Sequence, residues 1–372
     1  MDTVLNSGAL VIHVNMIQTL AMAVVTYYLG VWIRSKVNLL ERLSIPSPVI
    51  GGMILAVILS ILQAYEILVV QFDSTLQTLL MLAFFTTIGL MASLKVVKQG
   101  GLLLLFFLVA VSVLAVLQNV LGMSIASLMG LDMHYGILTG GVSMMGGLGT
   151  SAAFGPYFEE TYGIEGGTAV AITSATFGMA GALIVGGPFG EWLIHKYRIQ
   201  TPLPLTVPEK TLRIPDDLKA DVVEEHAAEK PAFTGELMKA TAVVAICMAL
   251  GSIVSDFLSQ YITLPAYIGS MIVAAVIRNI ADFSVRFNIQ GDGLNAVADI
   301  SLVLFVTMAV NGLKLYELVN LAVPMAVILV AQCVLTLLFA WLVIFLVFGK
   351  NYDTVMLAVG GVGFSMGATA NG

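Results

Sequence analysis

The sequence predicts an all-α polytopic membrane protein made of two related halves, and three observations predict it. The chain is a succession of uncharged apolar runs; its Lys and Arg residues crowd into one set of the connections between them; and two Gly-rich segments hold matching places in the two halves. Of the 372 residues 59% are hydrophobic and only 10% charged, with a mean hydropathy of +0.98. A soluble domain carries roughly 25% charged residues.

Taken in order, uncharged runs cover residues 3–33, 43–65, 74–94, 99–131 and 166–190 of the first half. Residues 240–255, 257–277, 300–313 and 318–349 repeat the picture in the second. Crossing a bilayer takes about 20 apolar residues, so most runs suffice alone, while 240–255 and 300–313 would borrow flanking residues. Between the halves, residues 196–234 include TPLPLTVPEKTLRIPDDLKADVVEEHAAEKP, rich in Pro and charge, which reads as a solvated linker. His226 lies in it and matches no metal or protease pattern.

The net charge of −7 matters less than where the charges fall. Arg34, Lys36 and Arg42 follow the first run, Lys95 and Lys98 the third, and Lys196 and Arg198 the fifth. The alternate connections of the first half carry Glu66, Asp73, Asp132, Glu159, Glu160 and Glu165, with no Lys or Arg. The positive-inside rule then puts the amino terminus outside and the linker in the cytoplasm, and the same alternation leaves Lys239, Arg278, Arg286 and Lys350 inside. Lys314 is the exception. No Arg lies mid-span, which leaves backbone amides rather than a guanidinium fork to face a carboxylate.

The Gly-rich segments are GGVSMMGGLGTSAAFGP from Gly140 and GGVGFSMGATANG from Gly360. Each follows an apolar run and mixes Gly with Ser and Thr. Broken backbone at membrane depth persists only where it is buried in protein or lines a wet cavity. A matched pair in corresponding halves points to the binding site of a transporter built from inverted repeats. Two further blocks recur in the same order and at nearly constant spacing. PSPVIGGMILAVI from Pro46 aligns with LPAYIGSMIVAAVI from Leu264, and LAFFTTIGLMASLK from Leu82 with LFVTMAVNGLKL from Leu304. Three blocks in order indicate an internal duplication. The repeat unit holds five spans and one re-entrant segment, and an odd number of crossings turns the second copy upside down. Residues 1–195 are then the first inverted repeat, with its hairpin near 134–158, and 196–234 the cytoplasmic linker. Residues 235–372 form the second repeat, cut within its hairpin near 353–372, so that its last helix is missing.

Other classes fit less well. There is no phosphate-cradling loop for an ATP-driven pump, no HExxH, no nucleophile elbow and no evident membrane-embedded Asp pair for an intramembrane enzyme. Cys247 and Cys333 lie within apolar runs, so no disulfide framework is indicated. Asp2 and the lack of an early Lys or Arg argue against a cleaved signal peptide. A channel would share the Gly and Thr lining, and two opposed hairpins favour alternating access.

GGLGTSAAFGPYFEETYG, LMLAFFTTIGL, VLQNVLGMSIASLMGLD, SATFGMAGALIVGGP, MAVNGLKLYEL, GKNYD and GFSMGATA together resemble the bacterial glutamate:sodium symporter family, over essentially the whole chain. The resemblance implies ten spans in two inverted halves, a homodimer in the bacterial inner membrane, and sodium-driven glutamate uptake by an elevator-like movement, without an organic cofactor. Where family members often read GGHGTG and GTGAAW, this chain has Leu148, Ser151 and Phe154. Another small organic anion or amino acid, carried with sodium or with protons, is the alternative cargo. A proton relay would want an Asp, Glu or His at mid-depth, and neither Gly-rich segment contains one, which favours sodium. Membrane lipid is the other expected partner, and nucleic acid is not expected.

Half-helix N-termini suit a carboxylate, and freed carbonyls with hydroxyls suit sodium. The substrate-binding candidates are accordingly Gly147, Gly149, Thr150, Ser151, Gly367, Thr369 and Asn371. The sodium-binding candidates are Ser143, Thr150, Ser365 and Thr369. Thr86, Thr87, Gln118, Asn119, Ser174, Thr176, Thr307 and Asn311 are expected to line the pathway. His13, Asn15 and Gln18 read as interhelical or interface groups, and Asp256, Asp299 and Lys314 as span-end residues, Lys314 by snorkelling.

Overall fold

Helices dominate this chain because hydrocarbon leaves its backbone N–H and C=O groups no other partners than one another. The computed structural model describes residues 2–6, 9–43, 45–99, 101–200, 233–261, 265, 267–282, 291–315, 318 and 321–367. Most of the linker, and the candidates Thr369 and Asn371, lie outside them. The first half contains α1 (Met16–Lys36), α2 (Asn38–Arg42), α3 (Ser47–Ala64), α4 (Thr75–Met91), α5 (Leu94–Gln99) and α6 (Gly101–Leu128). Three pieces, α7 (Met133–Leu138), α8 (Gly141–Met144) and α9 (Gly147–Tyr162), then lead to α10 (Gly167–Tyr197). The second half contains α11 (Phe233–Ser259), α12 (Tyr267–Ala281), α13 (Asp292–Asn311), α14 (Ala322–Phe339) and α15 (Tyr352–Ser365). A π turn, Ala340–Phe345, carries α14 on to Phe348.

Among the described residues, seven helices are long and apolar enough to cross a membrane: α1, α3, α6, α10, α11, α13 and α14 extended to Phe348. The two short runs do borrow flanking residues, since 240–255 sits within α11 and 300–313 is largely covered by α13. The helices α4 and α12, of 17 and 15 residues, reach about 26 and 22 Å. Run 257–277 does not become one helix. Helix α11 ends within it at Ser259, Pro265 intervenes where an interior helix would lose a hydrogen bond, and α12 runs on to include Arg278. That guanidinium is 6% exposed and pairs with Asp282 at 2.9 Å.

Run 3–33 also divides. Its start forms β1 (Asp2–Asn6) and β2 (Ala9–Val14), and only the rest is α1. Strand β2 pairs antiparallel with β1 and parallel with β3 (Leu68–Phe72), in a small sheet that adds to an otherwise helical fold. The β-branched content of ALVIHV and LVVQF favours this pairing. Asn15 and Gln18 form a reciprocal capping box at the start of α1, at 3.0 and 3.2 Å, and His13 pairs in the sheet with Asp2 and Gln71.

Packing sorts the helices by their place within each half. Helices α3, α4 and α11, α12, α13 share the cores around Phe305 and Leu90, and α1 packs beside them against α3 and α13. The remainder, α6 to α10 with α14 and α15, surround Phe345, Met144 and Leu138. Ala152, Ala153, Ala169 and Ile172 join the two groups through the Phe305 and Phe85 clusters. Within the first group α1 touches α3 at Gly30 and Gly51, and α11 touches α12 at Gly251 and Gly269. A Cβ on Gly51 would fall 1.7 Å from the Thr26 carbonyl oxygen, and one on Gly269 2.4 Å from that of Gly251. The halves also exchange polar ties. Leu315 N donates to Ser60 Oγ at 3.1 Å, just beyond α13, and Leu94 N to Asn279 Oδ1 at 2.8 Å, just beyond α4.

Connections that the charge pattern assigns to one side sit together. A cavity of about 600 Å³ is lined by Gln71 and Ser74 before α4, by Glu159, Glu165 and Thr168 around the α9–α10 turn, and by Leu313 and Lys314 after α13. On the side assigned to the cytoplasm, Ser93 after α4 donates to Asp282 after α12 at 2.5 Å.

Candidate functional site

Chain breaks in the two Gly-rich segments shape the candidate site. In the first, α7 and α8 are interrupted around Thr139 and Gly140, and α8 and α9 around Met145 and Gly146. Asn119 of α6 closes part of this gap, accepting a hydrogen bond from Gly141 N at 2.8 Å. In the second, α15 runs without a break from Tyr352 and stops at Ser365. Each turn uses a left-handed glycine, Gly147 with φ +69° and Gly367 with φ +87°, a conformation that a residue with a Cβ rarely adopts.

Both turns meet on Gly178, near the middle of α10. A Cβ at Gly178 would lie 2.7 Å from the Met366 carbonyl oxygen and 3.1 Å from Met144 Sδ. One at Gly367 would lie 3.3 Å from the Ala175 carbonyl oxygen and 3.4 Å from that of Ser143. Met144, Met366, Ser143, Ser151, Ser174 and Ser365 are fully buried here. Ser143 Oγ donates to the Leu138 carbonyl and contacts that of Ala171 at 2.8 Å, with Ser151 Oγ 3.1 Å away. Ser365 Oγ and Ser174 Oγ have no hydrogen-bond partner among the described residues.

Gln118, in the middle of α6, reaches the second turn. Its Nε2 donates to the Ser365 carbonyl at 3.0 Å and to Thr336 Oγ1 of α14 at 3.2 Å. Gln332 Nε2, one turn before Thr336, donates to the Gln118 carbonyl at 2.7 Å. Sequence reasoning missed Gln332 and Thr336. A signal existed: Gln118 and Gln332 occur in corresponding spans, α6 and α14, yet a lone amide in an apolar run carries no motif.

The remaining candidates divide. Ser143, Gly147, Ser151, Gly367, Ser365, Gln118, Asn119 and Ser174 belong to, or lie within a turn of, this convergence. Thr150 is half-buried beside it, with Oγ1 3.4 Å from the Gly147 carbonyl oxygen. Gly149 faces away, a Cβ there meeting Phe84 at 3.0 Å. Thr86, Thr87, Thr176 and Thr307 each close on a carbonyl of their own helix, at 2.7, 2.6, 2.8 and 2.6 Å. Asn311 Nδ2 donates to Thr26 Oγ1 of α1 at 3.1 Å, within the other group. The 600 Å³ cavity is lined by none of the convergence residues.

The two helix ends at these turns carry dipoles of opposite sign. The N-terminal end of α9, at Gly147, presents unsatisfied N–H groups and positive dipole, and the C-terminal end of α15, at Ser365, presents free carbonyls and negative dipole. One end suits a carboxylate and the other a cation. Outside the membrane segments, the backbone N–H of His134, and then its ring, hold the Asp132 carboxyl below the usual carboxylate range at the start of α7.

A polytopic helical protein whose broken backbone turns converge on buried neutral polar groups has the architecture of a membrane transport protein. The chain matches the sodium/glutamate symporter family over residues 12–372. It is 36% identical over 359 residues to the sodium/glutamate symporter of Escherichia coli (strain K12), covering 96% of this chain and 87% of that protein. It is 31% identical over 357 residues to that of Haemophilus influenzae, covering 95% and 85%. The chain belongs to the sodium/glutamate symporter family, and is a transporter rather than an enzyme.

Proposed function

We propose that this protein is a secondary active transporter that couples inward sodium movement to uptake of glutamate, with no organic cofactor. The observation that carries the reading is the meeting of two glycine turns on Gly178, where a helix N-terminus and a helix C-terminus face one buried polar region. Family membership supplies the substrate and the ion. Ser143, Thr150, Ser151 and Ser365 hold sodium and substrate together with Thr369 and Asn371, while Gln118, Asn119 and Ser174 line the path. Backbone N–H groups near Gly147 and Gly149 take the carboxylate.

The two halves are inverted repeats with re-entrant hairpins near 134–158 and from about 353, joined by a cytoplasmic linker. Matching glycine contacts and exchanged ties between the halves support this. The linker side faces the cytoplasm of a bacterial inner membrane, a reading supported by the Lys and Arg distribution. Transport proceeds by an elevator-like movement of the helix group bearing both turns against the other group, in a homodimer surrounded by lipid. The sorting of helices into two packed groups supports that motion.

Initial uptake of a labelled amino-acid panel into proteoliposomes tests the reading. Glutamate should accumulate only with an inward sodium gradient and be indifferent to a protonophore. Uptake that persists in sodium-free buffer and collapses with the protonophore would establish the proton-coupled alternative.

A further inference from the structure

We propose that Gln118, Gln332, Thr336 and Ser365 form a binding site for a hard monovalent cation between α6, α14 and the end of α15; the proposal rests on the sodium-coupled reading above and adds ligands to it. All four side chains are fully buried. The hydrogen bonds that tie them together fix their proximity: Gln118 Nε2 lies 3.0 Å from the Ser365 carbonyl oxygen and 3.2 Å from Thr336 Oγ1, and Gln332 Nε2 lies 2.7 Å from the Gln118 carbonyl oxygen. Gln332 and Thr336 stand four residues apart, on one face of α14. Around these bonds, Gln118 Oε1, Gln332 Oε1 and Ser365 Oγ have no partner among the described residues.

Three buried oxygens without a partner among the described residues are costly, because a buried polar atom without a partner forfeits about 1–3 kcal/mol. A cation would satisfy all three. The donor set is oxygen only, which suits a hard cation, and it is neutral. Among the described residues no group of three or more His, Cys, Asp or Glu could hold a metal ion anywhere. A neutral set cannot offset the desolvation of a divalent ion, so a monovalent one is favoured. The C-terminal end of α15 adds negative dipole directly at Ser365. Occupation would tie the second turn to α6 and α14, so that the ion organises the surface against which substrate binds.

The test measures sodium-dependent thermal stabilisation of the purified protein, titrating NaCl against choline chloride at constant ionic strength. Ser365→Ala removes an oxygen that has no hydrogen-bond partner among the described residues, so its stability without sodium should match wild type. Gln332→Leu removes the amide and keeps its volume. Both should raise the half-saturating sodium concentration about tenfold or more, about 1.4 kcal/mol, while Ser112→Ala, exposed on the same α6, leaves it unchanged. If Gln332→Leu does not purify as a folded protein, Ser365→Ala decides alone. Wild-type half-saturation in both variants overturns the site and leaves sodium-coupled transport standing. A wild type that sodium does not stabilise overturns the site as well, and sodium-independent uptake by the same preparation would then count against the symport reading itself.

Discussion

The two glycine turns share a left-handed residue and a floor on α10, yet differ in how their polar groups are satisfied. The first is closed on itself: Ser143 Oγ donates to the Leu138 carbonyl beside that of Ala171 and neighbours Ser151, and Asn119 caps Gly141. The second is held from outside, by Gln118 on the Ser365 carbonyl, and its Ser365 Oγ has no partner among the described residues. A turn whose polar side chains are already paired is a preformed wall, whereas one with a buried side-chain oxygen unpaired among the described residues has something left to bind. The first turn therefore suits positioning of substrate by backbone N–H groups, and the second suits the ion.

The strongest challenge to that comparison is to separate the turns. Gly178→Leu would place a side chain where Met366 and Met144 touch α10, and we expect sodium-driven uptake to fall a hundredfold or more. Gly187→Leu, nine residues along the same helix with nothing within 4 Å of its Cβ, should transport normally. Initial uptake rates at equal membrane expression make the measurement. Ser143→Ala then probes the closed turn. Removing the one hydroxyl donor that Ser143 offers to the buried Leu138 and Ala171 carbonyls should cost about 1–3 kcal/mol of stability, read as a lowered thermal midpoint. The open turn should lose ion affinity at little stability cost.

Removing a hydroxyl without changing shape sharpens the assignment further. Thr150→Val and Thr369→Val should each weaken apparent affinity for sodium or glutamate about tenfold, about 1.4 kcal/mol. Thr26, despite its place in an apolar run, makes a poor control for these, because its hydroxyl accepts from Asn311 across the first helix group. The smallest effect lies at the entry to the first segment. Asp132 has a depressed carboxyl pKa, so its stabilising contribution is present at neutral pH and fades as pH falls through that depressed value. For an exposed group this amounts to a few tenths of a kcal/mol. Thermal scans should show Asp132→Ala slightly less stable than wild type at pH 7 and indistinguishable in acid.

These differences mark what the sequence made legible. The spans, the Gly-rich breaks and the serines at them follow from composition and spacing, because membrane crossing and helix breaking are local properties. The small sheet was hidden, since a β-branched start such as ALVIHV reads as equally apolar in a helix. Division of run 257–277 was signalled by Pro265 and outweighed by its hydropathy. The ties made by Gln332 and Thr336 depend on which faces of α6 and α14 meet, which no local pattern records. The sorting of helices into two groups was equally invisible, because each group draws members from both sides of the linker.

The meeting of the two turns on α10 can be measured directly. With Cys247 and Cys333 replaced, cysteines at Met144 and Met366, both buried, should be linked within one chain as a disulfide by iodine, a small membrane-permeant oxidant, in native membranes. A cysteine at exposed Met356, farther down α15, should pair with Met144→Cys far less. Efficient linkage of the first pair alone is the result predicted. Equal or weaker linkage of Met144 with Met366 than with Met356 would contradict the convergence on which the account rests.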